Sequence, residues 1–130
     1  MFVDTNIFLE IALKDKNHVK CREFIQKLID KKISFYTSDF IVFSCLLIIQ
    51  NKLNSPDRMK DFLVFINSIK INIIRPSLKE LYKATEFMKK YKLDFDDSLV
   101  ISCIKENNIK QLISYDKHFS KIKEISIIKP

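Results

Sequence analysis

Short apolar runs alternate along the chain with longer stretches in which apolar residues recur every three or four positions. The first kind suits strands buried on both faces, the second amphipathic helices. Met1 to Asp4 reads as a very short buried strand, followed by a helix over Asn6 to Leu13. A second helix covers His18 to Lys31, with Val19, Phe24, Ile25, Leu28 and Ile29 on one stripe. Ile33 to Thr37 reads as a strand, and Ser38 or Asp39 then caps a helix from Phe40 to Lys52. That helix is apolar nearly all round, which predicts deep burial. Pro56 fits the first turn of the next helix, where Met59, Phe62, Leu63, Ile66 and Ile69 share a face. Ile71 to Ile74 is a strand stopped by Pro76. Ser77 caps a helix to about Tyr91, with Leu78, Leu81, Tyr82, Thr85 and Met88 predicted to face inward. Asp96 to Glu106 is a helix, Gln111 to Ser114 a strand, Lys117 to Ile122 a short helical turn, and Ile125 to Ile128 a last strand. The alternation predicts one α/β domain over residues 1–130, a parallel sheet of about five strands with helices on both faces.

Composition narrows the chemistry. A chain of 130 residues with 47% hydrophobic content suits one packed core. It has no glycine, which excludes P-loops, dinucleotide fingerprints and nucleophile elbows, since each needs close backbone approach or a positive φ. Turns must use Asn, Asp, Lys and Pro instead, as at Asn107-Asn108 and Ser55-Pro56-Asp57. Cys21, Cys45 and Cys103 are far apart in apolar helical stretches, which predicts buried free thiols and a reducing, cytoplasmic setting. The chain opens on a strand rather than a signal peptide, and its longest apolar run, Phe40 to Ile49, is too short to span a bilayer. The formal net charge of +7 favours a polyanionic partner, most simply nucleic acid, and no membrane partner is expected from an apolar run this short.

Against this basic background stand three acidic segments. Phe2-Val3-Asp4 and Leu112-Ile113-Ser114-Tyr115-Asp116 each run apolar residues into an aspartate. In a parallel sheet the carboxyl ends of the strands share one edge, where ligand sites collect. Asp4 and Asp116 are thus candidates to face one crevice. Leu93-Asp94-Phe95-Asp96-Asp97-Ser98 enters a helix with three acids, more than the capping and dipole needs of one helix start. Asp97 begins the helix proper and points from a buried start, whereas Asp94 and Asp96 serve as caps or outer acids. Carboxylates meeting in one cleft repel each other and call for a cation. Mg²⁺ or Mn²⁺ suits carboxylate and phosphate oxygens and activates water against a phosphodiester.

At these residues the chain resembles the PIN-domain family, including VapC-type toxins of toxin–antitoxin pairs. Asp4-Thr5-Asn6 is similar to the family's opening motif. Leu93-Asp94-Phe95-Asp96-Asp97-Ser98 is similar to its penultimate-helix segment, and Ser114-Tyr115-Asp116-Lys117-His118-Phe119 to its late hydroxyl-x-Asp-x-x-Phe segment. The resemblance covers nearly the whole chain. It implies a three-layer α/β/α fold, a Mg²⁺ or Mn²⁺ centre on Asp4, Asp97 and Asp116, cleavage of single-stranded RNA, and a homodimer with a small antitoxin. Thr5, Asn6 and Ser114 then orient carboxylates or water, with Asp94 and Asp96 in support.

One departure stands out. The family carries a glutamate early in the helix after the second strand, and the best register places Ser44 there, between Phe43 and Cys45. Asp39 and Glu10 are the candidate replacements. The missing acid opens an alternative reading, a catalytically weak or inactive scaffold that binds RNA or a protein partner. A response-regulator phosphotransfer domain fits poorly, because Asp4 stands alone at the first strand and Ile71 to Ile74 ends in Arg75-Pro76.

Overall fold

The computed structural model describes residues 1–130. In chain order its elements are β1 (Phe2–Val3), α1 (Thr5–Leu13), α2 (His18–Asp30), β2 (Tyr36–Ser38), α3 (Asp39–Leu53), α4 (Pro56–Ser68), β3 (Asn72–Ile74), α5 (Leu78–Tyr91), α6 (Phe95–Glu106), β4 (Gln111–Ile113) and β5 (Ser126–Ile128). A 3-10 turn spans Lys117–Lys121 between β4 and β5. The second strand lies later than its sequence pattern implied, because Ile33, Ser34 and Phe35 fall outside it and Ser38 ends it. Helix α6 starts at Phe95, so Asp97 is its third residue rather than its first.

The five strands form one parallel sheet in the order β3-β2-β1-β4-β5. The chain winds outward from β1 to β3, then crosses back to β4 and winds the other way. Right-handed crossovers place α1–α4 on one face and α5 and α6 on the other. The packing follows this division: α1 lies against α2 and α3, α3 against α4, and α5 against α6. The result is a three-layer α/β/α fold whose winding direction reverses between β1 and β4.

Only the inner strands are buried on both faces. Phe2, Val3, Leu112 and Ile113 are fully covered, whereas Asn72, Ile73 and Ser126 on the edge strands are exposed. Two helices also depart from the pattern reading. Helix α3 is apolar all round, yet Phe43 and Leu47 are 61% and 60% exposed. Its other face, Ile41, Val42, Cys45 and Ile49, fills the space over the sheet, and nothing in the chain covers the outer one. On α5, Leu78 and Tyr82 are 82% and 69% exposed and Thr85 is exposed, against the predicted inward set. The packed stripe is Leu81, Ala84, Phe87 and Tyr91, with the small Ala84 at its centre, where α5 lies against α6. Val19 on α2 and Leu63 on α4 are likewise exposed flanks of otherwise buried stripes.

Capping is carried by the residue types expected. Ser38, rather than Asp39, caps α3, its Oγ accepting from Ile41 N. Ser55 caps α4, with Pro56 in the first turn. Ser77 and Glu80 form a capping box on α5. Without glycine, Lys14, Lys32, Asn54, Lys70, Lys92 and Asn108 occupy the left-handed region, with φ between 44° and 55°. A side chain with a Cβ is strained there, and glycine is not. Lys14→Gly, at the exposed end of α1, is therefore expected to raise stability by about 0.5–1 kcal/mol in chemical denaturation.

Candidate metal centre

The reversal of winding opens a crevice at the carboxyl ends of β1 and β4, the position where open α/β sheets collect ligands. The pairing of Val3 with Ile113 brings Asp4 beside Ser114, and Asp4 N donates to Ile113 O at 3.1 Å. A cleft of about 470 Å³ lies at this edge. Asp4, Thr5, Asn6, Ser44, Asp96, Asp97 and Asp116 line it, with apolar walls from α1, α3 and α6. Asp4, Asp97 and Asp116 thus arrive from three remote segments.

Asp4 is held most firmly. It is 6% exposed, and its Oδ1 accepts from Thr5 N at 2.7 Å as the cap of α1. Its Oδ2 accepts from Asn6 Nδ2 and from Ser114 Oγ, both at 2.6 Å. Ser114 Oγ in turn accepts from Asn6 Nδ2 at 3.0 Å and from Asp116 N at 2.9 Å. Asn6 Oδ1 accepts from Tyr115 N at 3.1 Å. Asn6 and Ser114 therefore tie the end of β1 to the end of β4 and orient the Asp4 carboxylate. Thr5 contributes to that carboxylate through its backbone N–H.

Asp97 stands in the first turn of α6 and Asp116 caps the 3-10 turn, accepting from His118 N at 2.8 Å. Asp96 lines the cleft beside them, while Asp94 is exposed at the N-cap position and makes no side-chain cap bond. Asp94 thus occupies the cap position, where its backbone carbonyl accepts from Ser98 N at 2.9 Å and its side chain adds no cap bond. His118 was not singled out from the sequence, yet its Nδ1 lies 3.6 Å from Asp97 Oδ2 and 3.3 Å from Asp116 Oδ1. The signal for it was the Asp116-Lys117-His118 spacing at a turn start, which folds the ring back over the cap.

Electrostatics favour a cation here. Burial, then the charges of Asp96, Asp116 and Asp4, push the Asp97 carboxyl up to about 6, with His118 opposing. Burial likewise raises Asp4, against the hydrogen bonds from Ser114 and Thr5 and with the charge of Asp116 adding to the rise. Donor atoms of Asp97, Asp116 and His118 all lie within 4.8 Å of one another. Oxygen and imidazole donors this close, in a cleft where the carboxylates repel, fit a divalent ion.

Neither candidate replacement for the missing glutamate enters the cleft. Glu10 accepts from Asn17 N at 2.7 Å and Asn17 Nδ2 at 3.1 Å, and so fixes the start of α2. Asp39 lines a separate depression with Phe43, Ile73 and Arg75. Ser44 does line the cleft, where it supplies a hydroxyl and no charge. The three cysteines are free and buried. Burial and the Asp4 charge push the Cys45 thiol up to about 12, which makes it a poor nucleophile.

No curated protein matches the chain in sequence. Solved structures do match it in fold. Mycobacterium tuberculosis VapC20, described as a sarcin-ricin loop cleaving toxin, has a TM-score of 0.80 at 15% identity, over 99% of this chain and 98% of that one. Rickettsia felis VapBC2, bound to a DNA fragment from its promoter, gives 0.80 at 16% identity, over 99% and 97%. A toxin–antitoxin complex from Klebsiella pneumoniae gives 0.70 at 18% identity, over 98% and 94%. The sequence model of the PIN domain matches residues 1–125, and on that match the chain belongs to the PIN domain family.

Proposed function

We propose that this chain is a divalent-metal-dependent endoribonuclease, the toxin of a VapBC-type toxin–antitoxin pair acting in the cytoplasm. The observation that carries the reading is the convergence of Asp4, Asp97 and Asp116 on one cleft at the point where the sheet reverses its winding. Asp97 and Asp116 would hold Mg²⁺ or Mn²⁺ directly, and Asp4 directly or through water. A bound ion of this kind activates water and neutralises phosphate charge as a phosphodiester is hydrolysed. The chain's own part is placement. Ser114, Asn6 and the Thr5 N–H fix the Asp4 carboxylate, Asp96 adds negative charge at the rim, and the walls from α1 and α3 narrow the approach.

A net charge of +7 around an acidic cleft suits RNA, whose backbone is held by cations outside the centre. The exposed Phe43 and Leu47 on α3 give an apolar surface for a protein partner. We assign the chain an antitoxin, as in the Klebsiella complex, and a homodimeric state. The test is cleavage of an unstructured RNA with Mn²⁺ or Mg²⁺, abolished by chelation and restored by excess ion. Asp4→Asn is expected to lose cleavage while keeping its fold by circular dichroism. Cleavage equal to the parent's would exclude Asp4 from the centre.

One observation favours a second reading, a non-catalytic scaffold. No acid stands on the α3 wall, where Ser44 lines the cleft. Absence of Mg²⁺ and Mn²⁺ binding at millimolar ion, with RNA binding intact, would establish the scaffold.

A further inference from the structure

We infer that His118 is a nitrogen ligand of this centre, and that it makes the cleft select Mn²⁺ and related transition ions over Mg²⁺. The inference rests on the metal-centre reading above and adds to it a donor of a different chemical kind.

The geometry begins with the 3-10 turn. Phe119 and Ile122 are buried and anchor the turn against the core, while Asp116 caps it. The backbone N–H of His118 donates to Asp116 Oδ1, so the ring sits over the carboxylate that caps its own turn. From there Nδ1 lies 3.3 Å from Asp116 Oδ1 and 3.6 Å from Asp97 Oδ2. Two atoms bound to one ion at about 2.1 Å stand about 3.0–3.4 Å apart. The spacing is that of co-ligands, reached with small shifts. The ring is 68% exposed on its side chain, so no packing force holds it there. What it faces is the pair of carboxylates.

His118 stands against Asp97 and Asp116, two of the acids that line the cleft, and the α3 wall carries no acid. Glu10 and Asp39 are committed elsewhere, and Ser44 carries no charge. The centre therefore has three carboxylates and an imidazole. An imidazole donor changes selectivity. Mg²⁺ demands oxygen ligands and holds its water tightly, whereas transition ions accept nitrogen readily.

The experiment uses the metals alone on the full chain. Mn²⁺ binding is measured by electron paramagnetic resonance and calorimetry, and Mg²⁺ binding by calorimetry, for the parent, His118→Ala and Asp97→Asn. The parent is expected to bind Mn²⁺ at least about tenfold more tightly than Mg²⁺ and to show nitrogen coupling in the pulsed spectrum. The chain has two histidines, and His18 is tied to Asp15 O on α2's entry, so the coupling is assignable. His118→Ala is expected to lose the coupling and about ten- to a hundredfold in Mn²⁺ affinity, with Mg²⁺ affinity nearly unchanged. Mn²⁺ binding that Asp97→Asn removes but His118→Ala leaves intact, without nitrogen coupling in the parent, would overturn the role of His118 and spare the metal centre. Binding of neither ion by the parent would overturn both. The coupling is read on the parent itself, so the outcome does not depend on how well a variant folds.

Discussion

Asp97→Asn is expected to give a protein that is more stable without metal and far slower with it. Burial and three neighbouring acids push the Asp97 carboxyl up to about 6 in the folded chain, above the unfolded value near 3.9. Below about pH 4 the group is protonated in both states and costs nothing. Between about pH 4 and 6 the folded chain keeps a proton that the unfolded chain releases, so stability falls as pH rises. Above about pH 6 the penalty is complete. A shift of this size corresponds to at most about 3 kcal/mol, and solvent at the cleft mouth reduces it to about 1–2 kcal/mol. Asparagine removes the charge and keeps the shape. The metal-free variant should therefore melt about 3–8 °C above the parent at pH 7.5, with the gap closing toward pH 4. Added Mn²⁺ should raise the parent's melting temperature and leave the variant's unchanged. RNA cleavage should fall by about 10²–10³-fold, the loss of several kcal/mol of transition-state stabilisation. A variant that melts at or below the parent across this pH range would show that the acids of the cleft do not repel as placed.

Ser114→Ala is expected to damage both fold and activity, in contrast to Ser98→Ala. Both serines are fully buried. Ser114 Oγ gives its one hydrogen to Asp4 and receives two, from Asn6 Nδ2 and Asp116 N. Removing it leaves those two donors short of an acceptor and takes one donor from a buried carboxylate, a cost of about 2–4 kcal/mol. The orientation of Asp4 and Asp116 loosens with it, which should cost about 10–100-fold in cleavage. Ser98 Oγ has no hydrogen-bond partner. Its removal abandons nothing and leaves an apolar surface, so Ser98→Ala should be neutral or slightly stabilising. Paired urea titrations and cleavage rates check both, and equal effects of the two substitutions would show that the Ser114 network contributes nothing.

The sequence made the carboxylates easier to find than the surroundings that tune them. Asp4 and Asp116 were legible because each follows a short apolar run, and the parallel sheet puts the ends of such runs on one edge. The exposed face of α3 was not legible. Hydrophobic pattern records which residues are apolar, whereas the burial of Phe43 and Leu47 depends on neighbours that this chain does not supply. On α5 the pattern favoured large residues and passed over Ala84, whose small side chain marks the buried face. His118 was not legible because its place beside Asp97 and Asp116 depends on the fold of a five-residue turn that returns the ring to its own cap. Asp39 and Glu10 remained open alternatives in the sequence, since nothing local says that Glu10 turns toward Asn17.

The junction of β1 with β4 also has a consequence for how such a protein is made. Asp4 leaves the ribosome 110 residues ahead of its partner Ser114, and Asp116 follows later still. The contacts that shape the cleft span almost the entire chain, the class of contact that forms slowest. A nascent chain that ends before β4 holds Asp4 with neither Ser114 to orient it nor Asp116 beside it. For the nuclease proposed above, synthesis itself then delays assembly of the centre until β4 has emerged.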